Sequence, residues 1–118
     1  MENENIIVVK SKAFAIRIVR MYKHLKITKR EYILSQQVLR SGTSIGANVH
    51  EAIQAQSKAD FKAKMYIALK EASETEYWLE LLRDTDYLKP KEAESILTDC
   101  IELIKLLTKI TKTVKENS

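Results

Sequence analysis

Gly42-Thr-Ser-Ile-Gly46 matches G-x-S-x-G, the pattern that carries the serine of a nucleophile elbow. The elbow works only where a strand turns sharply into a helix and exposes the hydroxyl. No strand-like alternation precedes Gly42 and no α/β pattern surrounds it, so Ser44 is read as a packing residue. Metal chemistry fares no better. Di-iron bundles place Glu-x-x-His on inward helix faces, and neither His24 nor His50 has a glutamate three residues before it. The single cysteine, Cys100, rules out an intrachain disulfide and sits on an apolar stripe, where a thiol is buried and inert. Glu71 and Glu76 could be read as paired carboxylates. They are more simply a surface acid and a core-edge acid, the latter needing Arg40 or Arg83 beside it. No Gly-rich phosphate loop is present. Neither a cofactor nor a small-molecule substrate is expected.

Two basic constellations remain. Arg17 and His24 have the R-x6-H spacing of HEPN-type ribonucleases, in which a cation beside an imidazole serves RNA cleavage. Here Ile18 follows the arginine where a polar residue is usual, so His24 reads as a solvated residue near a helix end. Arg17, Arg20, Lys23, Lys26, Lys29 and Arg30, with Tyr22 among them, form the stronger nucleic-acid candidate. Lysine and arginine supply phosphate contacts without sequence readout, and a tyrosine can stack on a base. Lys105, Lys109, Lys112 and Lys115 make a second strip. The net charge is +4 and unevenly placed: residues 1–50 hold nine Lys/Arg against three Asp/Glu, and residues 51–118 hold eleven against thirteen. The basic half suits an acidic partner such as RNA or DNA; the bland alternative is solvated helix faces that differ in sign.

The elements that must position these groups are helical. The 118 residues are one domain's worth of chain, and they contain only two glycines and one proline. Ala, Leu, Ile, Lys and Glu dominate, which favours an all-α protein. Nothing resembles a signal peptide or a membrane span, so the cytoplasm is the expected location. Helix one is expected from about Ile6 to Lys26, with Ile7, Phe14, Ile18, Met21 and Leu25 on one face. Thr28-Lys-Arg-Glu31 reads as a capping box opening helix two. That helix continues to about Ala55 through Val38, Gly42, Ile45, Val49, Ala52 and Ile53, unless it breaks at Ser41–Ser44. Ser57 with Asp60 caps helix three, whose stripe is Phe61, Met65, Ala68, Ala72, Thr75, Leu79 and Leu82. Pro90 suits the first turn of helix four, which carries Ala93, Leu97, Cys100, Ile104, Leu107, Thr111 and Val114. Ile96, Leu103 and Ile110 widen that stripe and suggest contact beyond one groove. Four such helices with short connections predict an antiparallel, up-down-up-down four-helix bundle as a single domain over 1–118.

From Tyr32 to Ser57 the only Asp, Glu, Lys or Arg residues are Arg40 and Glu51. A segment this poor in charge should be covered on more than one side. Gln37, Ser41, Ser44, Asn48 and Glu51 fall in one polar stripe. Beside it Gly42 and Gly46, flanking Ile45, form a small-xxx-small pair that lets another backbone approach. The packing partner is either a helix of the same bundle or a second subunit.

The run Leu39-Arg-Ser-Gly-Thr-Ser-Ile-Gly-Ala-Asn-Val-His-Glu-Ala52 resembles the signature of the 23S rRNA intervening-sequence proteins. So does a second block, Asp60-Phe61 followed by Ile67-Ala-Leu-Lys-Glu-Ala-Ser-Glu-Thr-Glu-Tyr-Trp-Leu-Glu-Leu-Leu82, and the spacing between the blocks fits as well. Ala52 stands where many relatives have Gly. The family is similar in turn to the accessory variability determinant of diversity-generating retroelements, a basic bundle that binds nucleic acid and its reverse transcriptase. The resemblance implies an antiparallel bundle that assembles into a ring, a homopentamer, and that associates with ribosomal RNA insertions without a settled biochemical activity. The expected protein is a non-enzymatic oligomer whose partner is RNA, DNA or a nucleic-acid enzyme. The alternatives are a protein-interaction scaffold without nucleic acid and a small HEPN-like ribonuclease.

Overall fold

The computed structural model describes residues 2–116. They form four helices, α1 (Glu2–Ile27), α2 (Leu34–Ile53), α3 (Lys58–Asp84) and α4 (Pro90–Glu116). Each helix packs on its neighbour in the chain and α1 closes the ring onto α4, giving an antiparallel, up-down-up-down bundle about 46 Å long. The expected stripes form its core. Ile7, Phe14, Ile18, Leu25, Val38, Ile45, Val49, Met65, Leu79, Leu82 and Leu107 are all fully buried. Ile96, Leu103 and Ile110, expected to reach beyond one groove, are buried as well. Their width is absorbed inside the bundle, because α4 must cover both α3 and α1. Ile53, assigned to the core from its spacing, is exposed at the end of α2.

The capping box at Thr28 does not form. The chain leaves α1 through Arg30, whose φ of 55° is left-handed, and α2 starts only at Leu34. Glu31 does the capping alone. Its carboxylate accepts the backbone N–H groups of Ile33 (3.1 Å), Leu34 (3.0 Å) and Ser35 (2.6 Å), while the Ser35 hydroxyl donates to the Glu31 carbonyl at 2.7 Å. The first turn of a helix leaves such donors without partners and favours negative charge, so one buried carboxylate satisfies both demands. The predicted cap of α3 is present: Ser57 Oγ accepts from Asp60 N at 3.1 Å. α3 ends on Asp86 at φ 66°, with Tyr87 N donating to Leu82 O and Asp86 N to Arg83 O. That is a Schellman closure with aspartate where glycine is usual.

Helix α2 runs unbroken through both glycines. Their partner is α1. A Cβ built on Gly42 would lie 2.8 Å from Ile18 Cγ1, and one built on Gly46 would lie 3.3 Å from the backbone carbonyl oxygen of Ser11. The small-xxx-small pair therefore serves close packing of α1 on α2 inside one bundle. Ser41 is buried and accepts the Thr75 hydroxyl at 2.9 Å across α2 and α3. Cys100 donates to the Ala72 carbonyl at 3.4 Å, and burial, with Glu76 and Glu80 nearby, pushes its thiol up to about 12.

Two substitutions test these contacts. Gly46→Leu must displace the α1 backbone, and overpacking of this kind costs about 1–3 kcal/mol; a clear fall in the urea midpoint is expected, and an unchanged midpoint would contradict the close approach. Glu31→Ala should cost about 1–2 kcal/mol by leaving first-turn donors uncapped. Urea melts of this variant at neutral pH measure it, and stability equal to wild type would show the cap to be dispensable.

Candidate nucleic-acid interface

From Asn5 to Arg30 the chain carries eight Lys/Arg and no Asp/Glu. The core stripe of α1 fixes where those cations go. Lys10 and Arg17, seven residues apart, lie on the edge facing α4, and α4 neutralises them. Lys10 Nζ is 3.0 Å from Glu102 Oε1, and Arg17 Nη1 is 2.7 Å from Asp99 Oδ2. Arg17 also donates to Ser95 Oγ at 3.1 Å and to Ser95 O at 3.4 Å. Arg17 is thus an anchored, half-buried group rather than a free surface cation.

The other cations of the expected set are exposed. Arg20, Lys23, Lys26, Lys29 and Arg30, together with Lys12, have no carboxylate partner among the described residues. Lys12, Arg20, Lys23 and Lys26 line the outward side of α1, and Lys29 and Arg30 continue it around the connection to α2. Tyr22 is half-buried, with Lys26 Nζ 5.7 Å from its ring centre. That cation covers the face that sequence reasoning assigned to a stacked base.

The α1–α4 seam is more loosely packed than the other three helix pairs, and a depression of about 360 Å³ opens in it near the connection end of the bundle. Met21, Leu88 and Ile96 make its apolar floor. Arg17, Arg20 and His24 line it from α1, and Glu92 from α4. Arg17 and His24, paired by spacing as a possible ribonuclease motif, do share this depression. The guanidinium is already bound to Asp99 and Ser95, so it is no free partner for a reacting phosphate. Sequence reasoning missed Leu88, Glu92 and Ile96. They lie roughly 70 residues beyond Arg20 in the chain, and no local pattern ties the start of α4 to the middle of α1.

On the opposite side the α2 stripe splits by depth. Ser41 is buried, Gln37, Ser44 and Asn48 are half-buried, and Arg40 and Glu51 are exposed. Asn48 Nδ2 donates to Ser44 O at 2.9 Å and contacts Ser44 Oγ at 3.0 Å. Arg40 reaches Glu74 at 3.3 Å, and Glu74 also accepts from Trp78 Nε1 at 3.1 Å. Glu51 pairs with Lys64 at 3.3 Å. The charges at the two ends of the segment thus lock α2 to α3. Glu76 gains neither expected cation, because Arg40 takes Glu74 and Arg83 takes Asp84. The antiparallel register set by Ser41–Thr75 and Arg40–Glu74 brings Glu71 opposite the Ser44 turn. Its Oε2 is buried without a hydrogen-bond partner, and Ile67, one turn back on the same side of α3, is exposed.

Nothing in this arrangement holds a metal: among the described residues no three His, Cys, Asp or Glu side chains cluster. No helix is long and apolar enough to cross a membrane.

Comparison with known proteins gives the bundle a family. The sequence profile described as 23S rRNA-intervening sequence protein matches residues 3–109. A crystal structure of a protein of unknown function, from the S23 ribosomal protein family of Bacteroides thetaiotaomicron VPI-5482, is 55% identical. The match covers 93% of this chain and 98% of that one, at a TM-score of 0.91. No curated protein matches. The profile spans all four helices and both blocks of residues that suggested the resemblance, and the chain belongs to the 23S rRNA-intervening sequence protein family.

Proposed function

We propose that this protein is a non-enzymatic, cytoplasmic RNA-associated bundle that works as a homo-oligomeric ring, a pentamer by its family resemblance. The observation that carries the RNA reading is the unopposed cation run of α1. Two of its eight charges are neutralised by α4, and the remaining six face solvent along one side of the molecule. A row of lysine and arginine on a rigid helix supplies phosphate contacts and little else. RNA is favoured over DNA because the family is named for an insertion in 23S rRNA. Repetition around a ring would make individually weak contacts act together.

The α2–α3 face supports self-association. A buried carboxylate oxygen without a donor costs about 1–3 kcal/mol, and Glu71 holds one beside half-buried Ser44 and Asn48. A donor from a second copy would satisfy it, and the exposed Ile67 gives that copy apolar area to cover. The α1 cations lie on a different side from this face.

Two measurements test the proposal. Light scattering at micromolar concentration should give about five times the subunit mass for a closed five-membered ring; a clean monomer would remove the ring. RNA affinity should fall as salt rises, with a slope of about −0.7 per phosphate neutralised on a single strand. Changing Arg20, Lys23 and Lys26 together to Gln should shallow that slope by about 2. Arg17 is left out because it holds α1 to α4. Assembly without any RNA affinity at low salt would turn the reading to a scaffold for another protein.

A further inference from the structure

The cation run explains attraction to any polyanion, but not why the α1–α4 seam opens into a lined depression. We infer that this depression receives one unpaired nucleotide of a single-stranded RNA, the base on Met21, Leu88 and Ile96 and the phosphate on Arg20. The inference rests on the RNA reading above and adds a site to it.

Its volume of about 360 Å³ lies at the lower end of the range for small-ligand sites. The floor is apolar, suited to the flat face of a base. Ile96 and Leu88 are almost fully buried beneath it and cannot swing away. Arg17 forms one wall, its guanidinium fixed by Asp99 and by both oxygens of Ser95. An ordered guanidinium plane is a surface on which an unstacked base can lie, and little side-chain freedom is lost on binding because it is already ordered. Arg20 has no carboxylate partner and stands beside Lys23, also unpaired, so a phosphate is the complementary charge. Glu92 faces them from α4. A carboxylate repels phosphate but accepts hydrogen bonds from an exocyclic amino group, as acidic side chains do with cytosine. Cytosine and adenine present that group and uracil does not. A base inside a duplex cannot lie face down in a depression, whereas a splayed single-stranded base can.

The test uses the full-length protein and fluorescein-labelled RNA 12-mers, oligo(A), oligo(C) and oligo(U), with a duplex and a DNA strand of equal length. Single-stranded oligo(C) and oligo(A) should bind about tenfold more tightly than the duplex, the effect of one stacked base worth about 1.4 kcal/mol. Glu92→Ala decides between the site and general electrostatics. Loss of a carboxylate beside a cation row should, by charge alone, strengthen binding of every RNA. Occupancy of the depression instead requires that oligo(C) and oligo(A) lose affinity relative to oligo(U). Arg20→Gln should erase the single-strand preference while thermal melting stays as in wild type. Equal affinity for duplex and single strands, or a parallel gain for all RNAs in Glu92→Ala, overturns the inference and leaves the RNA reading intact. Absence of binding to every RNA at low salt overturns both. Tighter binding of the DNA strand overturns the assignment to RNA. Tighter binding of an oligoglutamate peptide, abolished by Arg20→Gln, gives the depression to a protein segment and overturns it too.

Discussion

The close approach of α1 to α2 at Gly42 and Gly46 sets the shape of everything around it. With no side chain at either position, Ile18 and the Ser11 carbonyl come within 2.8 Å and 3.3 Å of where a Cβ would stand. Each glycine costs up to about 1 kcal/mol of helix propensity, which the tight contact offsets. The geometric result is an uneven bundle. α1 is drawn to α2, and its other edge meets α4 less closely. Long side chains bridge what remains: Lys10 to Glu102, and Arg17 to Asp99 and Ser95. Where no such bridge forms, past Arg17 toward the connections, the seam is open.

That unevenness also sorts the charges. Cations on the α4 edge of α1 are neutralised, while those facing outward meet no acid, because the nearest acidic residues belong to α4 and point into the seam. Glu31, the carboxylate that follows the run directly in sequence, is turned inward onto the α2 amides. Salt bridges as exposed as Lys10–Glu102 are worth at most about 1 kcal/mol each. Their importance lies in orienting α1 and removing two charges from the free set, more than in stability.

Much of this was legible from residue spacing. The apolar stripes recur at helical steps and became the core almost residue for residue, and Ser57 and Pro90 mark their helix starts as expected. Local chemistry misled at Thr28, because a capping box and a lone glutamate cap share the same Glu31. What separates them is the left-handed turn at Arg30, a conformation that arginine does not advertise. The Gly-xxx-Gly spacing marks close-contact points but is silent on which backbone approaches. The basic surface was visible as composition. The loss of Arg17 from it was not, because Asp99 is 82 residues away. The depression was hidden for the same reason, its two walls coming from opposite ends of the chain.

The order of contacts along the chain has a kinetic meaning. α1 with α2, α2 with α3, and α3 with α4 are hairpins between successive helices, and only the α1–α4 seam joins distant segments. Loop closure for the hairpins is short and favours rapid folding. The seam is the weakest-packed pair and brings together segments 92 residues apart at Lys10 and Glu102, so the topology leaves its closure for last. With the fewest close approaches of any helix pair, it is also the boundary along which local opening costs least. The glycine-packed contact of α1 with α2 lies on the far side of α1 from that boundary and is untouched by such an opening.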